Sequence, residues 1–141
     1  MRDAPVIGLH GRARSGKDTV ANFILSHRGG YVYSFADPIR AMLVPLGIDM
    51  SDPYWQANKE AIIPALGASP RRLMQTLGTE WGRQLINPDF WLILAKQVLI
   101  NYGPGMVVAD VRFENEAEWV RSQGGRVIHI ERPNTVGVEA H

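Results

Sequence analysis

Cysteine is absent from this 141-residue chain, which excludes a disulfide scaffold and a thiolate zinc site and only weakly favours the cytoplasm. Long apolar runs are missing too. The longest, Phe90 to Ile100, is broken by Lys96 and Gln97 and falls short of the ~18 residues a membrane span needs. At the N-terminus no charged stretch leads into an apolar one, so no signal peptide is expected. Excess charge is also lacking: a net +1 argues against a broad electrostatic grip on a nucleic acid polymer. Lysine is scarce, at 3 of the 15 basic residues, and the other 12 are arginine. Arginine offers a rigid donor fork suited to phosphate and carboxylate, although codon bias explains such a ratio equally well.

The chain does have the makings of one compact domain, with 45% hydrophobic residues, 21% charged residues and no repeat or linker. Pro5 to His10 is a short apolar run that ends in a glycine-rich loop. Apolar residues then recur at helical spacing from Lys17 to His27, and Gly29-Gly30 ends that helix. Tyr31 to Phe35 is rich in β-formers, and Asp37-Pro38 reads as an N-cap followed by proline at the first helical position. The opening third is therefore a βαβ unit and a further helix start.

The middle, roughly Pro38 to Pro104, reads as helices broken by Pro45, Pro53, Pro64, Pro70 and Pro88. After the cap-plus-proline pair Ser69-Pro70, a helix is expected to bury Leu73, Leu77, Trp81 and Leu85. Its other side would carry a polar stripe of Arg72, Gln75, Thr79 and Arg83. Strands are expected again at Gly105 to Val111 and Arg126 to Ile130, with a helix from Glu114 to Gln123 between them. The expected architecture is α/β, a parallel sheet with a helical insertion: core about 1–36 and 105–141, insertion about 37–104.

Gly11 to Lys17 (GRARSGK) fits G-x-x-x-x-G-K. Glycines let successive backbone N–H groups turn inward as an anion nest, and the following helix adds its dipole. Lys17 would neutralise charge developing in phosphoryl transfer. The usual Ser or Thr after the lysine is replaced by Asp18, with Thr19 next. These two serve either as acceptors around Mg²⁺ and phosphate or simply as good first-turn helix residues. Asp110 ends the third strand at the edge where acids reach Mg²⁺ or its waters, and Arg112 lies within reach of a transferring phosphoryl group. The alternative for both is a surface ion pair at a strand end. Glu114 reads as a helix cap, whereas Glu116 could face the crevice. Trp91 begins a helix after Asn87-Pro88-Asp89 and could line a pocket. His10, His27 and His129 show no metal spacing.

GRARSGKDTVA, SFADPIR, SPRRLMQTLGTEWGR, ADVRFENE and VIHIERP, in that order, resemble the deoxynucleoside monophosphate kinases of tailed bacteriophages. The resemblance spans Val6 to His141. It implies a P-loop NTPase fold, a three-layer sandwich with a parallel sheet and a helical acceptor-binding insertion. It also implies transfer of the ATP γ-phosphoryl to a deoxynucleoside 5'-monophosphate, giving the diphosphate and ADP. On that basis Gly11, Arg14, Ser15, Gly16, Lys17, Asp18 and Thr19 handle ATP, with Lys17, Asp18 and Arg112 catalytic. The acceptor side takes Ile39, Arg40, Arg72, Gln75, Gly78, Thr79, Trp91, Asp110, Arg112 and Glu116. Mg²⁺ would be held, through water, by Asp18, Thr19 and Asp110.

The partners implied are nucleotides alone, with no nucleic acid polymer and no membrane; a homodimer stays open, and the expected compartment is the cytoplasm. Ala13 stands where some members carry a loop lysine, so that one phosphate contact is either lost or supplied by Arg12. Members usually continue past the H-x-x-E-like segment with a further strand and helix. Two rival functions follow: a P-loop kinase for another small acceptor, and a truncated nucleotide-binding module without turnover.

Overall fold

A computed structural model describes residues 4–12 and 15–131. Four strands form one all-parallel sheet in the order β2-β3-β1-β4: β1 Ile7–His10, β2 Tyr31–Tyr33, β3 Met106–Val108 and β4 Arg126–His129. β3 is buried along its whole length, as a central parallel strand covered on both faces must be. Ladder bonds run past its end, with Ala109 N–H donating to Tyr33 O at 2.9 Å and Val111 N–H to Leu9 O at 3.1 Å. The register sets Gly8 against Val108 and His10 against His129. Chain connections leave β1 toward β2 and leave β3 toward β4, in opposite directions across the sheet. The carboxyl ends of these two neighbouring strands therefore flank the point where the connections diverge, the usual ligand edge of an open parallel sheet.

Helices α1 (Lys17–Arg28) and α6 (Glu114–Ser122) belong with the sheet. Ala21 of α1 packs with Leu9, Val107 and Ile130, and Val20, Ile24 and Leu25 join that cluster from the partly buried side. The chain divides into two compact units, one from residues up to Ser34 and from Ala95 onward, the other Phe35–Leu94.

The second unit is helical, with α2 (Asp37–Leu43), a 3-10 turn Val44–Leu46, α3 (Pro53–Ala57) and α4 (Pro70–Gln75). Helix α5 (Phe90–Tyr102) begins within it. Its apolar centre gathers Leu43, Ile48 and Met50, against which Trp55, Ile63, Leu73, Met74 and Leu77 pack. Pro53 and Pro70 each open a helix behind a capping side chain, where the missing N–H would have no partner in any case. Asp37 does not cap α2. Ala36 takes that position and Asp37 lies within the first turn, where its carboxylate still faces the positive end of the helix.

The expected long α-helix after Ser69 is not what forms. Ser69 does cap it, accepting from Arg72 N–H at 3.2 Å, but from Thr76 to Ile86 the backbone is π-helical. Bonds to the fifth residue widen the helix and turn each residue through a smaller angle, so a stripe at i, i+4 drifts off its face. Leu73 and Leu77 pack inward as expected. Trp81 is half-buried against Phe90 and Trp91, and Leu85 has drifted out to 76% exposure.

Candidate nucleotide site

The loop after β1 turns on two glycines. At Gly11 a Cβ would stand 2.7 Å from the Ile130 carbonyl oxygen and 2.8 Å from Ser15 Oγ, so no side chain fits there. Gly16 caps α1 with φ 99°, the left-handed region in which glycine is unstrained. Between them, Ser15 N–H donates to Arg12 O at 3.1 Å and closes a tight turn. Ser15 Oγ is buried and has no hydrogen-bond partner among the described residues. Unpaired buried hydroxyls are costly, and this one stands directly before Gly16 and the head of α1. Arg14, assigned to ATP, lies outside the described residues, as does Ala13.

The first backbone bond of α1 runs from Val20 N–H to Gly16 O at 3.0 Å. The N–H groups of Lys17, Asp18 and Thr19 have no acceptor inside the helix, and a helix of 12 residues brings a full dipole to that end. Lys17 is half-buried and its ammonium makes no ion pair among the described residues, whereas Asp18 and Thr19 are exposed. The head of α1 thus presents one uncommitted cation and three backbone donors toward anionic oxygen.

Asp110 follows β3 on the same sheet edge. Ser34 Oγ donates to its Oδ2 at 2.5 Å, the short distance of a charge-assisted bond. Arg112 is exposed. Glu116, at 2% exposure, accepts from Arg112 N–H at 2.8 Å and Phe113 N–H at 3.0 Å through Oε1. Glu116 is therefore the carboxylate that caps α6, and Glu114 is not; Glu114 pairs with Arg121 at 3.1 Å on the surface. The cap falls to Glu116 because it is the third residue of the helix, the position that reaches back to the N-cap N–H. The Glu116 cap fixes the backbone at Arg112.

The side chains expected to face Mg²⁺, Asp18, Thr19 and Asp110, offer hard oxygen atoms. No group of three or more His, Asp or Glu side chains able to hold a metal occurs among the described residues. That donor set suits an ion which keeps several waters and takes its remaining ligands from substrate phosphates.

In the helical unit, Arg72 and Gln75 are exposed on α4, and Arg72 makes no ion pair among the described residues. Its neighbour Arg71 does pair, with Glu60. Arg40 on α2 holds Asp37 at 3.1 Å. Ile39 Cδ1 lies 2.9 Å from where a Cβ of Gly78 would be, so these two residues meet by close packing. Thr79 is half-buried one residue on.

Trp91 is 3% exposed; its Nε1 donates to Gly78 O at 2.8 Å and its ring fills the space where a Gly82 Cβ would stand, 2.7 Å away. With its polar atom engaged inside the fold, Trp91 braces the π-helical segment rather than lining an open pocket. Sequence reasoning missed Ser34 altogether, since a lone serine after a strand carries no signal until its partner across the sheet is known.

A family model described as Deoxynucleotide monophosphate kinase matches residues 52–141. The putative deoxynucleotide monophosphate kinase of Acanthamoeba polyphaga mimivirus is 28% identical over 96% of this chain and 78% of its own length. The deoxynucleoside-5'-monophosphate kinase of Escherichia phage T5 is 30% identical over 82% of this chain and 71% of its own length. The deoxynucleotide monophosphate kinase of Escherichia phage RB69 is 30% identical over 85% of this chain and 45% of its own length. The resemblance first carried by short motifs thus extends over most of the sequence, and the chain belongs to the deoxynucleotide monophosphate kinase family.

Proposed function

We propose that this chain transfers the γ-phosphoryl group of ATP to a deoxynucleoside 5'-monophosphate, giving the deoxynucleoside diphosphate and ADP. The observation that carries the reading, alongside family membership, is the head of α1, where a half-buried Lys17, without an ion pair among the described residues, follows a loop in which no side chain fits at Gly11. In this reading the fold is a P-loop NTPase sandwich of three layers. Its helical acceptor-binding part is about 37–104, carried on a core of about 1–36 and 105–141. An acceptor phosphate oxygen attacks the γ-phosphorus, and the bond from that phosphorus to the β,γ-bridging oxygen breaks as ADP leaves. The attacking oxygen is already ionised, so no residue has to remove a proton.

Catalysis is then positioning and charge neutralisation. Gly11, Ser15, Gly16 and the N–H groups of Lys17, Asp18 and Thr19 cradle the ATP phosphates, and Arg14 is assigned to ATP as well. Lys17 and Arg112 offset the charge that spreads over the transferring group. Asp18, Thr19 and Asp110 would hold Mg²⁺ through water, and the ion would supply further neutralisation of phosphate charge. Ile39, Arg40, Arg72, Gln75, Gly78 and Thr79 are assigned to the acceptor nucleotide, and Asp110, Arg112 and Glu116 complete that side.

The substrates are nucleotides and not nucleic acid polymers, and a homodimer working in the cytoplasm is compatible with this reading. Among the described residues no helix is long and apolar enough to cross a membrane. The test is label transfer from γ-labelled ATP. Labelled deoxynucleoside diphosphate formed by wild type and lost in Lys17→Ala supports the assignment, and label released only as inorganic phosphate contradicts it.

A further inference from the structure

Ser34 makes a short contact to a carboxylate of the sheet edge. It follows directly after β2, is buried, and its hydroxyl donates to Asp110 Oδ2 at 2.5 Å. The register explains why the two meet. Tyr33 pairs with Val108 and Tyr33 O accepts from Ala109 N–H, so the residues just beyond each strand end lie side by side. The bond thus joins two neighbouring strand ends on the edge that also carries the head of α1, through β1.

We propose that Ser34 is a positioning residue, which holds the Asp110 carboxylate in the orientation that phosphoryl transfer requires. The proposal rests on the kinase reading above. A carboxylate on a strand end can rotate about two side-chain bonds, and a hydroxyl fixed on the adjacent strand restricts that rotation. Groups that orient a ligand-binding or metal-facing carboxylate typically matter ~10–100-fold to activity or metal affinity. A misplacement of about 1 Å is enough for such a loss. Ser34 is also the last residue of its unit before the chain enters Phe35–Leu94, so the same bond anchors the strand where the helical unit begins.

The experiment is a double-mutant cycle on dNMP-dependent ADP release, with Ser34→Ala, Ser34→Thr, Asp110→Asn and the Ser34→Ala/Asp110→Asn pair. Ser34→Ala is expected to lower kcat ~10-fold or more with a smaller change in KM for either nucleotide. Ser34→Thr, which keeps the hydroxyl, is expected to restore most of that loss. In the Asp110→Asn background Ser34→Ala should add little. Equal kcat in Ser34→Ala and wild type overturns the proposal, as does a full, independent loss in the Asp110→Asn background. A lowered thermal midpoint with normal kcat per folded molecule overturns it as well, since that is the mark of a fold clamp only. Absence of ADP release in wild type removes the kinase reading instead. In that event the same cycle is read by the Kd for MgADP, where weakening confined to the Asp110-containing background supports the positioning role and an unchanged Kd rejects it.

Discussion

The sheet edge and the helix after Ser69 both gather residues suited to nucleotides, but they reach their geometry by opposite routes. At the sheet edge each feature is set locally: a strand ends, Gly11 and Gly16 permit the turn, and α1 begins with its donors exposed. In the helical unit the stripe from Arg72 to Arg83 is set from a distance, by Trp91 and Ile39 pressing on Gly82 and Gly78. Trp91 comes 13 residues after Gly78 and Ile39 comes 39 residues before it, so no window of sequence around the stripe contains its own brace. Anion binding at a helix head needs only short-range rules, whereas a rare helix geometry needs a partner to hold it.

Substitutions can break that comparison on either side. Lys17→Ala carries the largest expected effect, a ~10²-fold or greater loss of kcat with little change in thermal midpoint, read by ADP release and thermal denaturation. Loss of the fold in this variant would show the head of α1 to be structural and erase the distinction. On the braced side, Gly82→Ala places a Cβ 2.7 Å from the Trp91 ring and is expected to destabilise by about 1–3 kcal/mol in denaturant unfolding. Trp91→Phe keeps an aromatic ring but removes the donor to Gly78 O, for about 1 kcal/mol, and should raise the acceptor KM more than the ATP KM. Equal changes in both KM values would mean that the brace does not address the acceptor stripe. Leu85→Ala should stay within about 0.5 kcal/mol, because the π-helical backbone has already carried that side chain into solvent. A loss as large as a buried leucine gives would restore the straight α-helix expected from spacing.

The same division marks what could be read from the residues. Pro5 to His10, Gly105 to Val111 and Arg126 to Ile130 each contain the strand found there, and Lys17 to His27 matches α1 to within one residue, because strand and helix periodicity and glycine punctuation are local signals. Asp37-Pro38 was legible as a helix start but not to the residue, since Ala36 takes the cap. Burial of Leu73 and Leu77 was legible; exposure of Leu85 was not, because hydrophobic spacing cannot report a change of helix pitch that tertiary packing imposes.

At the site, the loop residues announce themselves through glycine spacing. Ser34 does not, because its meaning lies in a hydrogen bond to a residue 76 positions away. Glu114 and Glu116 show a finer limit. Both are acidic and two residues apart, and which one caps α6 depends on a boundary that sequence patterns locate only to within a residue or two.

The most direct test of the central claim is ADP release from MgATP with each of the four deoxynucleoside monophosphates, against a control without acceptor. The account predicts release that depends on the acceptor, with at least one base clearly preferred. Silence with all four, while ATP still binds, would contradict it and leave a nucleotide-binding protein without turnover.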